Sequence, residues 1–225
     1  MFVGHYAASL ALKKVEPKAS LGTLFLAVQF VDILFFPFVM LGIERLNIIE
    51  NFTSSTHFEL EYMPYTHSLL ATFLWAALIY LLFRTVRSAT RRIALVIAIG
   101  VMSHWFLDLL VHTPDLPLWS DDSLKLGFGL WNNAHATYLL EAVLLLTGLL
   151  LYLSATKPKV SLRKTKRARY GVGWFVIFLL FANAINVFRP LTDNNVTSFA
   201  ILPLTLFIVF AGIAYWLDGY RQPKY

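Results

Sequence analysis

Near the middle of the chain, one segment reads Ile99-Gly100-Val101-Met102-Ser103-His104-Trp105-Phe106-Leu107-Asp108-Leu109-Leu110-Val111-His112. This apolar run has membrane-spanning character, yet it carries two imidazoles and one carboxylate at intervals of four residues. Residues four apart lie on the same face of a helix, so His104, Asp108 and His112 are predicted to form one stripe. Burying such groups in hydrocarbon costs several kcal/mol unless they are paired. The stripe therefore predicts a functional site.

The composition indicates an integral membrane protein. Of the 225 residues, 58% are hydrophobic and 14% are charged, which is not the balance of a soluble domain. The chain has no cysteine, so disulfides, thiolate catalysis and cysteine-ligated zinc are excluded. The net charge is +6, but Lys and Arg stand in short clusters beside apolar runs, a distribution typical of membrane topology. No nucleic-acid partner is expected.

Apolar runs of membrane-spanning length recur along the whole chain. Each is close to the ~20 residues that a helix needs to cross a bilayer, and they lie at roughly 19–43, 66–83, 93–112, 132–154, 170–189 and 199–218. The fold class expected is all-α: a polytopic bundle of about six transmembrane helices. The first fifteen residues are too short to span and predict a half-inserted helix that ends before Pro17.

We expect residues 1–225 to form one integral membrane domain. Residues 1–154 contain the site-bearing helices, 155–169 form a basic cytoplasmic loop, and 170–225 contain two C-terminal spans. Basic and acidic connections alternate along the chain. By the positive-inside rule the basic connections are cytoplasmic, which predicts an N-in, C-in topology. The acidic residues of the opposite connections are Glu44, Glu50, Glu59, Glu61, Asp115, Asp121, Asp122 and Asp193.

Several intramembrane acids and imidazoles are predicted to lie at a similar depth. At 1.5 Å per residue, Asp32, His67, His104 and Glu141 lie ~18 to 25 Å from the basic ends of their spans. His5 lies ~14 Å deep if its helix inserts. The residues therefore converge in a band between the midplane and the outer leaflet, which predicts a site facing the extracytoplasmic side.

Each of these residues also has a simpler interpretation, since one intramembrane His or Asp often only bonds a neighbouring helix. His112 and His135 lie near the outer ends of their spans, where an interfacial histidine is ordinary, and His57 is expected to be a solvated loop residue. Glu141 is isolated at depth, so a partner is expected for it.

Four short motifs, taken in order, resemble a known family. They are Gly4-His5, Val31-Asp32, Tyr65-Thr66-His67-Ser68-Leu69, and Ser103-His104-Trp105-Phe106-Leu107-Asp108 followed by Thr113-Pro114. This pattern is similar to that of the prokaryotic inner-membrane proteins known as membrane-bound metal-dependent hydrolases. That family is distantly related to zinc-dependent phospholipase C and the S1/P1 nuclease group, whose helical fold binds a cluster of zinc ions.

The resemblance covers about the first half of the chain and implies a set of metal ligands. The implied ligands are His5, Asp32, His67, His104 and Asp108, with Asp108 between two metals. His104 and Asp108 are the implied catalytic residues, and His112, His135 and Glu141 are possible additional ligands. The implied cofactor is one or two divalent ions, most simply zinc.

The chain departs from the family pattern at two positions. Leu34 stands where the family has a second Asp, and Tyr62-Met63 stands where it has a His-Arg pair. A basic group that stabilises anionic charge is therefore missing, and Arg45 or Lys125 could approach from the outer loops instead. Thr66 and Ser68 flank His67 and could orient it, bind substrate or cap the helix that follows.

Imidazoles and carboxylates without thiolate suit Zn²⁺ or Mn²⁺, which activate water for hydrolysis of a phosphoester. A site near the headgroups favours a lipid-borne phosphate substrate from the surrounding membrane. The residue types also fit a transporter for a divalent metal or protons, because His and Asp line ion pathways. A third alternative is a non-catalytic membrane scaffold in which the polar residues only join helices.

Overall fold

The computed structural model describes residues 1–191 and 194–224, so Asp193 of the predicted acidic connections falls outside it. Helices dominate this part of the chain, as the all-α prediction requires. The eight α-helices in the described ranges are α1 (Gly4–Val15), α2 (Leu21–Val28), α3 (Phe30–Met40), α4 (Leu69–Thr85), α5 (Arg91–Val111), α6 (Ala134–Ala155), α7 (Lys166–Phe188) and α8 (Val196–Asp218).

Four of these helices, α5 to α8, are long and apolar enough to cross a membrane. The pair α2 and α3 counts as a fifth candidate if it forms one span, although it is bent by 49° at its break. The run predicted to span at 66–83 is a shorter helix of 17 residues, because the side chain of Ser68 caps it and helical structure begins only at Leu69. Large apolar side chains on α6 to α8, such as Leu150, Trp174 and Tyr215, face outward, as lipid contact requires.

The break between α2 and α3 lies at Gln29, which ends one helix and begins the next. Its side-chain amide donates a hydrogen bond of 3.2 Å to the carbonyl of Phe2. The last carbonyls of any helix lack partners within it, so the break leaves the carbonyl of Val28 free to accept a bond from outside. This carbonyl becomes important in the site.

The predicted N-terminal helix is present as α1 and is packed within the bundle, against α2, α5 and α6. Lys13, in its last turn, contacts Asp218 at the end of α8 at 2.6 Å. The contact between α1 and α6 is close because Gly148 has no side chain: a Cβ added there would lie 2.7 Å from the carbonyl oxygen of Ala7. This anchoring holds the first five residues deep in the bundle.

Three small two-stranded sheets mark the two ends of the bundle. At one end, here the loop end, β1 (Arg45–Ile48) pairs antiparallel with β2 (Phe58–Tyr62), and β3 (Leu116–Pro117) pairs with β4 (Lys125–Leu126). At the other, here the basic end, β5 (Thr156–Pro158) pairs with β6 (Arg221–Pro223). Basic connections gather at the basic end, where Arg92 also contacts Glu16 at 3.1 Å. Short 3₁₀ turns lie at Leu130–Asn132 and Val160–Leu162.

The close contact at Gly148 gives a test of this packing. We expect Gly148→Ala to destabilise the protein by about 1–3 kcal/mol, because the new methyl overpacks the backbone of α1. Thermal unfolding in detergent, followed by intrinsic fluorescence, measures the loss. Gly173→Ala on α7 is the matched control, since a Cβ there meets nothing within 4 Å. Equal midpoints for the two variants would contradict the packing of α1 on α6.

Candidate metal centre

The predicted stripe on α5 forms, and its centre is Asp108. The Nε2 atom of His104 lies 3.0 Å from Asp108 Oδ2, and that of His112 lies 3.5 Å from the same oxygen. On the other side, Asp108 Oδ1 lies 3.1 Å from His5 Nε2 and 2.6 Å from the amino group of Met1. A buried carboxylate is thus surrounded by imidazole nitrogens and the amino group of Met1.

A second group of ligand-type atoms shares His104 with the first. Asp32 Oδ1 lies 3.3 Å from His67 Nε2 and 3.6 Å from His104 Nε2, and His67 Nε2 lies 4.0 Å from Asp108 Oδ2. Within each of the two groups, the three ligand atoms lie within 4.8 Å of one another. The two overlapping groups are His5, His104 and Asp108, and Asp32, His67 and His104. The structure therefore brings together all five residues that the sequence singled out as ligands.

Hydrogen bonds made by the Nδ1 atoms orient the imidazole rings of the cluster. His104 Nδ1 lies 2.7 Å from the carbonyl of Val28, which can only accept, so this nitrogen donates. His67 Nδ1 lies 2.8 Å from the hydroxyl of Thr66. That hydroxyl donates its proton to Glu44 at 2.7 Å, so it accepts from His67. In both neutral rings the Nε2 lone pair is therefore directed into the cluster.

His112 follows the same rule, since its Nδ1 lies 2.8 Å from the carboxylate of Asp115. His5 differs: neither of its nitrogens makes a hydrogen bond within the described ranges, and its ring stacks on that of His104 at 4.0 Å between centroids. His104 Nε2 also lacks a hydrogen bond there. Buried polar nitrogens normally have hydrogen-bond partners. Nitrogens without such partners are expected where the partner is a bound cation.

Burial differs sharply between the two carboxylates. The side chain of Asp108 is 2% exposed, while that of Asp32 is 17% exposed, and the cluster imidazoles are nearly inaccessible. A cavity of about 150 Å³ adjoins the cluster, and its wall includes Asp32, His67, Asp108 and His112. Asp32 thus lies on the open side of the cluster and Asp108 on the closed side.

The partner predicted for Glu141 is the backbone of the N-terminal segment. Its Oε2 accepts hydrogen bonds from the amides of Gly4 at 2.8 Å and Phe2 at 3.1 Å. The carboxylate satisfies amides that the start of α1 leaves without partners. Glu141 also lines the cavity, so it lies beside the cluster. Its hydrogen bonds are made to the N-terminal segment.

The structure corrects two sequence-based expectations and selects among the alternatives for Thr66 and Ser68. His135 lies outside the cluster: it is exposed in the first turn of α6, with its ring 5.4 Å from that of Phe188. Arg45 and Lys125 do not approach the cluster: Arg45 contacts Glu61 at 3.3 Å and Lys125 contacts Asp121 at 2.7 Å. Ser68 caps α4 by accepting from the amide of Ala71, whereas Thr66 orients His67.

Glu44 and Asp115, which the sequence places only in acidic connections, contribute to the orientation of the cluster imidazoles. Glu44 is buried and accepts from the amides of Tyr65 and Thr66 as well as from the Thr66 hydroxyl. Burial raises the pKa of the Glu44 carboxyl, while His67 and these hydrogen bonds act in the opposite direction. Asp115 holds His112, and its position three residues further along the chain was a usable signal.

The donor set fits a divalent transition metal. Imidazole nitrogens and carboxylate oxygens are ligands that Zn²⁺ and Mn²⁺ accept, and hydrogen-bonded Nδ1 atoms behind the ligands are usual in such sites. Comparison of the chain with protein-family models, with curated proteins and with solved structures finds no match. No family assignment follows, so the site has to be interpreted from its own geometry.

The chain from Glu44 through Thr66 to His67 gives a testable consequence. We expect Thr66→Val to weaken zinc binding by roughly 10–100-fold, because His67 loses the group that orients its ring. Competition with a chelator of known affinity measures the change. Ser68→Ala is the control, since it removes a helix cap and should cost about 1 kcal/mol of stability without changing metal affinity. Similar affinities for the Thr66→Val protein and the wild type would show that His67 is not held in this way.

Proposed function

We propose that this protein is a membrane-embedded, metal-dependent hydrolase that acts on a phosphoester in a lipid-borne substrate. The observation that carries the proposal is the convergence of buried imidazoles and two carboxylates at the end of a cavity. The Nε2 atoms of His67, His104 and His112 face this cluster, and a hydrogen bond at Nδ1 orients each of the three rings. The residues proposed to hold the metal are His5, Asp32, His67, His104 and Asp108. The order of motifs that resembles membrane-bound metal-dependent hydrolases supports the same choice.

The number of ions proposed is one or two, with zinc as the simplest identity and Asp108 among the residues that would hold them. A bound divalent ion would supply Lewis-acid activation of water and charge stabilisation at a phosphoryl oxygen. The protein's own contribution is positional. Val28, Thr66 and Asp115 hold the imidazoles, and Glu141 holds the segment that carries His5.

Asp32 has a distinct part in this proposal because it is the accessible carboxylate of the cluster. Asp32 also lines the cavity, so its carboxylate can position a water molecule there and accept its proton. The aromatic rings of Phe35 and Phe36 adjoin it in the cavity wall and exclude bulk water from the remainder of the site.

The proposed placement is a six-span, N-in, C-in arrangement in a prokaryotic inner membrane. In this arrangement α4 and the bent pair of α2 and α3 count as spans in addition to α5 to α8. The basic end would be cytoplasmic by the positive-inside rule, which places the cluster toward the extracytoplasmic leaflet. A substrate from the membrane could then reach the cavity from the headgroup region.

Two alternatives fit the packing less well. A transporter needs polar groups that continue to the other side, but below the cluster the side chains of Val96, Ile97 and Val101 are buried in an apolar core. A scaffold would use polar residues as mutual donors and acceptors. Here the Nε2 atoms of His67 and His104 face carboxylates, and a cation bound between neutral rings and carboxylates would satisfy both.

Metal analysis tests the proposal directly. We expect purified wild-type protein to retain one or two equivalents of zinc or a similar divalent ion, and His104→Ala to lose it, because both groups of ligand atoms share His104. His135→Ala is the matched control and should keep the metal. Elemental analysis after gel filtration gives the ratio of metal to protein.

We expect the variants that retain the metal to hydrolyse a chromogenic phosphodiester and the variants that lose it to be inactive. Asp108→Asn is expected to reduce turnover to background, while His135→Ala remains active. Wild-type protein that binds no divalent ion at all would exclude the proposal. Metal retained without hydrolysis of any phosphoester, together with zinc flux into liposomes, would favour transport instead.

A further inference from the structure

The cavity beside the cluster extends toward the C-terminal end of α7, where its lining includes Asn186 and Arg189. Both residues are exposed, whereas the cluster at the other end is buried. The cavity therefore runs from the surface at α7 to the carboxylate of Asp32. Arg189 is the one Lys or Arg side chain in the part of the lining that the structure describes.

The wall between these two ends is apolar. It consists mainly of aromatic and aliphatic side chains from β1, β2, α3 and α8, namely Phe36, Leu46, Phe58, Leu60, Phe199 and Phe207. Such a wall favours a hydrocarbon chain over a soluble, fully polar substrate. A cationic group at the opening of a largely apolar cavity matches an amphiphile with an anionic group.

The position of Arg189 is fixed by the sequence and by its neighbours. Pro190 follows it, and a proline disfavours helical structure at the residue before it, so α7 ends at Phe188. The carbonyl of Arg189 lies 3.0 Å from His57 Nε2. His57 Nδ1 accepts a bond of 2.9 Å from the amide of Asn51, so its Nε2 carries the proton and donates to Arg189. His57 is thus not merely a solvated loop residue.

The loop that carries His57 is itself tied to the rest of the cavity. The hydroxyl of Ser55 donates to the carbonyl of Trp131 at 2.7 Å, and Ser54 donates to the carbonyl of Asn132 at 2.6 Å. The backbone of Arg189 is consequently attached to a braced loop. Its guanidinium makes no ion pair with any group in residues 1–191 and 194–224.

We propose that Arg189 is the residue that selects an anionic amphiphile at the opening of the cavity, by binding a phosphate oxygen of the substrate as it enters, while the apolar wall accepts its alkyl chain. This inference deepens the proposed function and rests on it for the identification of the bound molecule as a substrate. A guanidinium presents two parallel N–H donors to a phosphate, which gives geometric selectivity as well as attraction. Arg189 acts in binding and takes no part in bond cleavage.

The test measures binding apart from hydrolysis. Full-length protein in phosphatidylcholine nanodiscs is titrated calorimetrically with hexyl phosphate, with empty nanodiscs as the background and 1-hexanol as the neutral probe. We expect Arg189→Gln to weaken hexyl phosphate binding by roughly tenfold or more, which corresponds to the loss of a charge-assisted hydrogen bond. Binding of hexanol should not change.

Arg45→Gln is the matched control, because Arg45 is also a loop-end arginine but does not line this cavity. It should bind hexyl phosphate as the wild type does. Equal weakening in both variants, or no binding of hexyl phosphate by the wild type, would overturn the inference. Loss of binding that follows metal removal but not Arg189→Gln would also overturn it.

The same titration on chelator-treated protein separates this inference from the proposed function. Binding that depends on Arg189 and persists without metal supports selection by Arg189 even if the protein proves to have no hydrolase activity. Arg189→Lys should recover part of the affinity, since it restores the charge but not the paired donors. A lysine variant no better than glutamine would contradict recognition of an anion.

Discussion

The structure depends on the burial of one carboxylate, that of Asp108. A charged group in the apolar interior of a membrane bundle is unfavourable by several kcal/mol unless opposite charges and hydrogen bonds surround it. Here the groups that face it come from residues distant in sequence: Met1 and His5 on the N-terminal segment and His67 ahead of α4. The contacts of Asp108 thus help to hold a 12-residue helix inside the bundle.

Local periodicity was sufficient to predict the stripe on α5, because positions four apart on a helix share a face whatever surrounds them. Depth along each span was sufficient to bring Asp32, His67 and His5 into the same layer. Both predictions rest on helix geometry alone, and the distances around Asp108 agree with them. The fold class was predictable for the same reason, since composition and run length determine it.

The remaining features depend on contacts that no local pattern encodes. Hydropathy shows one continuous run at 19–43, so the break at Gln29 and the loss of a regular span could not be foreseen. Glu141 accepts from backbone amides. Every residue type except proline has such an amide, so the sequence does not indicate which residues are the partners. His135 and Glu141 occupy one helix, yet six residues apart they face different directions, and only Glu141 points inward.

The break at Gln29 couples the shape of a span to the chemistry of the cluster. In an uninterrupted helix the carbonyl of Val28 would accept from the amide of Asp32, four residues further on. In the bent arrangement that carbonyl instead holds the ring of His104. The bend therefore frees for His104 an acceptor that a straight helix would use for its own amide. Any ligand that stabilises the observed orientation of His104 also stabilises the bend, and by reciprocity a membrane that favours the bent span favours the ligand. Bilayer thickness and site occupancy would then be linked variables.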